Sequence, residues 1–439
     1  MDRIVRRRDF LKFGGGALMS IGALNLAACS GDTATIPTNG TVPLQFTYWG
    51  STVRAQLTNN VVQLYQKGRP HTQISAQLID FASYWPKLAT QVSGGGAPDL
   101  LQMDMRYVDL YVKKGLLLNL SRFTPQSIDL HDFNPVLLSQ GKVKNTIYGI
   151  PLGANFSGIF YDQTMLEKAN VPLPAQVHDW TWDQYVEYSL AIARALGPGV
   201  YGSDDASGNI LFLEIFVRQR GKELYTSDGR RGFAKQDIQD WLTYWINMRK
   251  IGACIPPNIS GDLNNSTNPL IAGKVAITFQ PSNTIKSYQS STPHTIGMYI
   301  APTTAGLKDP GTYLKASQLV SASATTKYYS EAVSFINFLL NDTSAIKVLG
   351  IERGIPGSAR AQNLLKPALS ASDLTQLNLV DQISAMSRPK VVLDPPGAGE
   401  VESLLAFVNQ GLLYGKLTIA EAAENFVTQT DKILERVIA

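Results

Sequence analysis

The chain has 439 residues, is 44% apolar, and carries 39 Lys and Arg against 35 Asp and Glu, a formal net charge of +4. Residues 1–28 hold five Lys or Arg and two Asp, a net of +3, so only +1 is left for the remainder, which excludes a general basic footprint for nucleic acid. The length supports two or three packed domains. Two cysteines (Cys29, Cys254) and four scattered histidines (71, 131, 178, 294) without H-E-x-x-H spacing point to no metal site and no cofactor.

In chain order, the first feature is RRRDFLKFGGGALMSIGALNLAACS, residues 6–30. The apolar run from Gly14 to Ala28 is 15 residues, short of the roughly 20 a membrane-spanning helix needs, and it reads as a cleavable export signal over 1–28. Arg7-Arg8-Asp9-Phe10-Leu11-Lys12 resembles a twin-arginine signal, with Arg6 where Ser or Thr usually stands. Leu26-Ala27-Ala28-Cys29 resembles a lipobox, which implies lipidation at Cys29, attachment to a membrane surface through that lipid, and an exported location, periplasmic or on the outer face. Residues 29–42, rich in Ser, Thr, Gly and Pro, then form a tether. With Cys29 lipidated, Cys254 has no disulfide partner.

QFTYWG (45–50) reads as a strand, 52–67 as a helix, 72–79 as a strand, 83–94 as a helix, 97–103 as a strand and 106–117 as a helix. Three strand–helix alternations predict an α/β sheet, mostly parallel, with helices on both faces. A second region opens at 146–162 with two β-rich segments around Gly-Ala-Asn. Helices follow at 180–197, with Thr181 as N-cap, and at 209–220 and 235–251. A strand is expected at 274–280, and amphipathic helices at 330–342 and 418–438.

GPGVYG (197–202) matches G-x-G-x-x-G but follows a helix and precedes a strand, the reverse of a dinucleotide fingerprint. GLLYGKL (411–417) is one residue short of a phosphate loop, and no G-x-S-x-G is present. Asp104, Asp204, Asp205 and Glu214 are available as a glycosidase pair, and equally as solvated acids. Trp49 and Asp104, each at a strand end, suit a sugar site: an aromatic face for C–H groups and a carboxylate for hydroxyls. Trp49 as core and Asp104 as a helix N-cap is the equal alternative.

QVSGGGAPDLLQMD (91–104), LYVKKGLLLNL (110–120), KNTIYGIPLGAN (144–155), YDQTMLEKANVPLP (161–174), TWDQY (181–185), LIAGKVAITF (270–279) and SEAVSFINFL (330–339) fall in an order that resembles the extracellular solute-binding proteins of ABC sugar importers, nearest the maltose-binding-like carbohydrate binders. That resemblance implies a two-lobed periplasmic-binding-protein-like fold of type II. Each lobe would be a mostly parallel sheet flanked by helices, with ligand between the lobes. It implies crossings near Gly153–Asn155, Pro302–Thr304 and Asn341–Asp342, giving lobe one as 43–152 plus 304–340 and lobe two as 153–303 plus 341–439. Gly153 is the expected hinge. The implied ligand contacts are Trp49, Gly50, Tyr84, Trp85, Asp104, Asn155, Phe156, Asn209, Gln280, Asn283 and Gly397. The chain departs from maltodextrin binders at QPSN (280–283) and PPGAGE (395–400), where no stacking aromatic stands. Arg106 and Arg353 leave room for an acidic sugar, with Arg353 alternatively bracing the hinge.

The resemblance implies a monomeric, non-enzymatic protein that captures a sugar or short oligosaccharide and delivers it to ABC permease subunits. Sensing through a receptor ectodomain and an exported glycan-acting enzyme are the alternatives.

Overall fold

The computed structural model describes residues 40–438 except 175–179, 265–266, 307–308 and 387–390. The expected export signal, Cys29 and the expected tether up to residue 39 lie outside the described residues. The first half begins with β1 (Val42–Trp49), β2 (Thr72–Ile79) and β3 (Leu100–Met103), a short hairpin of β4 (Lys142–Val143) and β5 (Thr146–Ile147), and β6 (Ile150–Pro151). β7 (Ala154–Asn155), β8 (Ser157–Asp162), β9 (Tyr201–Ser203), β10 (Val275–Pro281), β11 (Ile296–Ile300), β12 (Lys315–Ala316) and β13 (Leu319–Ala322) follow.

Two main sheets result. The first runs β2-β1-β3-β13-β6 and the second β11-β8-β10-β9, while β7 and β12 pair with each other between them. In the first, β1 is parallel to β2 in an unbroken register from Val42↔Thr72 to Trp49↔Ile79, and parallel to β3. β13 runs antiparallel to both β3 and β6. In the second, β8 is antiparallel to β10 and β11, and only β9 and β10 are parallel. The expectation of mostly parallel sheets is therefore corrected: both sheets are mixed. Parallel neighbours require a crossover, usually a helix, to bring the chain back. β1, β2 and β3 have those helices (Thr52–Lys67 and Phe81–Ser93), whereas β8 and β13 arrive from the other lobe and are free to run the opposite way.

Each sheet has its own core. Phe46, Tyr65, Leu100, Ile150, Val320, Phe335 and Ile336 pack in the first lobe. Phe156, Phe160, Trp180, Tyr185, Trp241, Trp245, Phe279, Leu314 and Phe426 pack in the second. The N-cap at Thr181 is a full capping box with Gln184. The helix expected over 106–117 stops at Lys113 because Gly115 takes a left-handed conformation, φ 70°. Helix Thr343–Leu349 packs on helix Thr52–Lys67, and helix Ala359–Leu365 adds Ala361 and Leu365 around Ile346. Helix Ala371–Met386 packs on β11, and helices Ala398–Leu413 and Ile419–Ile438 pack on each other. Cys254 is buried and free.

Just past β9, Asp204 accepts hydrogen bonds from the Asp205 amide and the Thr278 hydroxyl, both 2.8 Å. Burial outweighs these bonds and pushes its carboxyl up to about 6. The folded state then holds a proton that the unfolded chain has released, so this group favours folding below its ordinary value of 3.8, and that contribution is lost as pH rises through about 6. Asp204→Asn removes the titration. Thermal melts should show the variant gaining on the wild type between pH 4 and pH 6.5, with a constant difference above.

Candidate functional site

β3 is buried throughout, so the chain emerges at the sheet's carboxyl edge with Asp104, the edge at which open α/β sheets bind ligands. Asp104 caps helix Met105–Lys113 by accepting from the Arg106 amide at 3.0 Å. It also accepts from Arg106 Nε (3.1 Å) and Nη2 (2.9 Å). The carboxylate raises the guanidinium above an ordinary arginine and occupies its fork.

From the second lobe comes helix Ile210–Gln219, ILFLEIFVRQ, whose one carboxylate is Glu214. Glu214 is buried, and its oxygens accept from the Tyr313 hydroxyl (2.7 Å) and the Lys315 ammonium (3.0 Å). Lys315 stands on β12, where the chain passes between lobes. Burial alone would lower its ammonium, but Glu214, Tyr313 and Asp394 together hold it well above a free lysine. Asp104, Arg106, Glu214 and Lys315 line a cavity of about 230 Å³ with Tyr225, Asp394 and Glu402. Burial raises the Asp394 carboxyl; Lys315 opposes the shift and Glu214 adds to it.

Of the residues expected from sequence, Asp104 lines this cavity and Gly397 precedes helix Ala398–Leu413, whose Ala398, Gly399 and Glu402 line it. Trp49 and Tyr84 are corrected to core residues. Trp49 packs at 4.9–5.5 Å between ring centroids on Phe81, Tyr84 and Trp85, and the fully buried Tyr84 donates to the Gln102 carbonyl at 2.6 Å. Phe156 is likewise core, 2% exposed. Trp85 is stacked on Tyr107, centroids 3.8 Å apart, so that face is covered. Gly50 lies against the Arg54 side chain.

Asn155 pairs with Lys315 across β7 and β12, its Oδ1 buried without a partner. Asn209 caps the Glu214 helix through the Leu211 amide. Gln280 donates to Thr278 at 3.3 Å. Asn283 lines a separate groove with Val53, Leu57 and Lys286. Arg353 is 4% exposed and donates to Thr58 at 2.8 Å, while its carbonyl accepts from Gln318 at 3.0 Å. Burial, and then the Arg54 charge, lower it to about 10. It is a structural group at the crossing, not a ligand contact.

Sequence reasoning did not bring Tyr225, Lys315, Asp394 or Glu402 to this cavity, and it offered Glu214 only as one of four acids. A signal existed for Glu214, a lone carboxylate inside an otherwise apolar helix run.

The family model for bacterial extracellular solute-binding proteins matches residues 48–346. Among curated relatives, a mannitol-binding protein of Pseudomonas aeruginosa is 23% identical over 72% of this chain and 74% of its own. The chain spans about half the length, 52%, of the curated relatives it matches first. Among solved structures, a family 1 extracellular solute-binding protein from Alicyclobacillus acidocaldarius is 30% identical over 91% of this chain and 100% of that one, TM-score 0.77. A periplasmic oligogalacturonide binding protein from Yersinia enterocolitica, 23% identical over 91% of this chain and all of its own, shares the fold at TM-score 0.76.

At Gly153 an added Cβ would stand 2.1 Å from the Arg353 carbonyl oxygen. Gly153→Ala therefore forces backbone apart where the lobes join. A loss of about 1–3 kcal/mol is expected in urea unfolding, the usual scale of overpacking.

Proposed function

The chain belongs to the bacterial extracellular solute-binding proteins, and on that premise we propose that it captures a sugar or short oligosaccharide between its lobes and delivers it to ABC permease subunits. One observation carries the reading: a cavity at the lobe junction whose walls hold Asp104, Glu214, Tyr225 and Lys315, hydrogen-bonding groups of the kind that recognise hydroxyls. The named ligands of similar proteins, mannitol and oligogalacturonide, fall in the same broad class.

The protein performs no chemistry in this reading; the ligand favours the closed arrangement, and the permease reads that state. The lobes are residues 42–151 with 319–365, and 157–314 with 371–438, with the crossings as hinge. This moves the second and third crossings later than the sequence suggests, because Thr303 still bonds Trp180 in the second lobe and helix Thr343–Leu349 still packs on the first. Gly153 lies in the first crossing. Export by the twin-arginine signal, anchoring through lipidated Cys29, and a monomeric state complete the proposal. Among the described residues no helix is long and apolar enough to cross a membrane.

The uronate alternative is not favoured. Arg353 is buried in structure, and the two cations of the cavity, Arg106 and Lys315, already pair with Asp104 and Glu214.

A thermal-shift screen of residues 30–439 against monosaccharides, oligosaccharides, polyols and uronates tests the function. A ligand at 100 times its Kd adds about 2.7 kcal/mol of stability, so a carbohydrate series should raise Tm by several degrees. A shift with peptides or metal ions but no carbohydrate would overturn the reading.

A further inference from the structure

We infer that residues 391–394 are a strap that fastens the two lobes to each other through Val391 and Leu393, so that part of the drive to close comes from this chain rather than from its ligand. The inference rests on the two-lobed reading above and concerns how firmly the cleft holds whatever it takes.

The strap lies between helix Ala371–Met386 and helix Ala398–Leu413, outside any helix or strand. Both helices belong to the second lobe: the first packs on β11, and the second places Val401 and Leu405 in that lobe's core. The strap reads Val-Val-Leu-Asp and is followed by Pro395-Pro396. Proline holds the residue before it in extended conformations, so Asp394 and Pro395 stay extended up to the helix start.

In an extended chain successive side chains point to opposite sides, and the packing follows that alternation. Val392 packs against the second-lobe core. Val391 and Leu393 pack against the first-lobe cluster that contains Trp49, Tyr84, Leu101, Met103 and Tyr111. Asp394, next in line, is in the cavity wall with Asp104 and Arg106 of the first lobe and Glu214 of the second.

Four consecutive residues thus bridge the lobes with side chains of this chain alone. Sequence neighbours tie the strap to the second lobe, so its contact with the Trp49 cluster is the one that breaks when the lobes part. Breaking it returns Val391, Leu393 and the aromatic surface beneath them to water, which is unfavourable in proportion to the apolar area exposed. Val391, Val392 and Leu393 are all half-buried, so the strap biases the equilibrium without fixing it. A ligand that binds only the closed form has its apparent Kd divided by the closed fraction, and the strap raises that fraction for every ligand alike.

Val391→Ala with Leu393→Ala loosens the strap. Small-angle X-ray scattering of residues 30–439 without added sugar should give the variant a larger radius of gyration than the wild type, at unchanged far-UV circular dichroism. Acrylamide quenching reads the same event locally. Of the six tryptophans, Trp180, Trp182, Trp241 and Trp245 lie in the second-lobe core, so a newly quenchable fraction in the variant comes from Trp49 and Trp85. Each carbohydrate that raises Tm in the screen above should bind the variant more weakly, by about threefold or more and by a similar factor from one sugar to the next. Leu393→Ala alone should show smaller changes of the same sign, and it carries the comparison should the double variant not fold.

Equal radii of gyration with equal quenching would overturn the inference and leave carbohydrate capture standing. Tighter binding by the variant would also overturn it, since the strap would then compete with the ligand for the aromatic surface. If no carbohydrate binds while scattering and quenching separate the two proteins, the strap stands and the ligand class falls.

Discussion

The carbonyl oxygen of Arg353 lies where a side chain at position 153 would have to begin, and the backbone around this point is tied together across all three passages between the lobes. Ala154 and Ile355 exchange hydrogen bonds at 2.6 and 3.1 Å, the Ser317 amide donates to the Gly153 carbonyl at 2.9 Å, and the Leu152 amide donates to the Gln318 carbonyl at 2.9 Å. Three segments distant in sequence thereby form one small sheet between two large ones. Only a residue without a Cβ permits this approach. Lys315 and Asn155 are paired within this junction.

Side chains extend the same tie into the first lobe. Arg54 donates to both oxygens of Glu352 at 3.0 Å, to the Trp49 carbonyl at 3.0 Å and to Gln318 at 2.9 Å, so the end of β1 is fixed to the second and third passages. Trp49 is then immobilised by Phe81, Tyr84 and Trp85. The aromatic residues expected to stack on a ligand instead pack on one another at the rim of the first lobe, and the cavity is lined by charged and hydroxyl groups. A cleft that binds through carboxylates discriminates by charge and hydrogen-bond direction more than by the flat face of a sugar ring.

Local order was legible in the sequence to a high degree. The helix at 52–67 and the strand at 72–79 have the bounds their periodicity predicts, since both are amphipathic elements whose pattern is local. Strand direction was not legible: β8 and β13 come from the opposite lobe, and nothing in SGIFYD or LVSA records which way a neighbour runs. The even choice over Trp49 and Asp104 divided. Asp104 is indeed an N-cap, but one that also lines the cavity, because a cap at a strand's carboxyl edge occupies the binding edge as well. Trp49 went to the core because β1 lies between β2 and β3 and its last four residues are buried, a fact fixed by strand order rather than by the residues near it. Tyr225 and Asp394 come from two separate loops and Glu402 from a late helix, and they share a cavity only once those elements meet Glu214.

The charges of the cavity bear on how an empty and a filled cleft differ. Asp394 is influenced at once by Lys315 and Glu214 from one side and by Arg106 and Asp104 from the other, so both lobes already act on one carboxylate. Converting a 1:99 population of the closed form to 99:1 requires about 5.5 kcal/mol of differential binding. A ligand that meets groups from both lobes only when the lobes come together supplies its interactions mainly in that state, which is the condition for shifting the equilibrium at all.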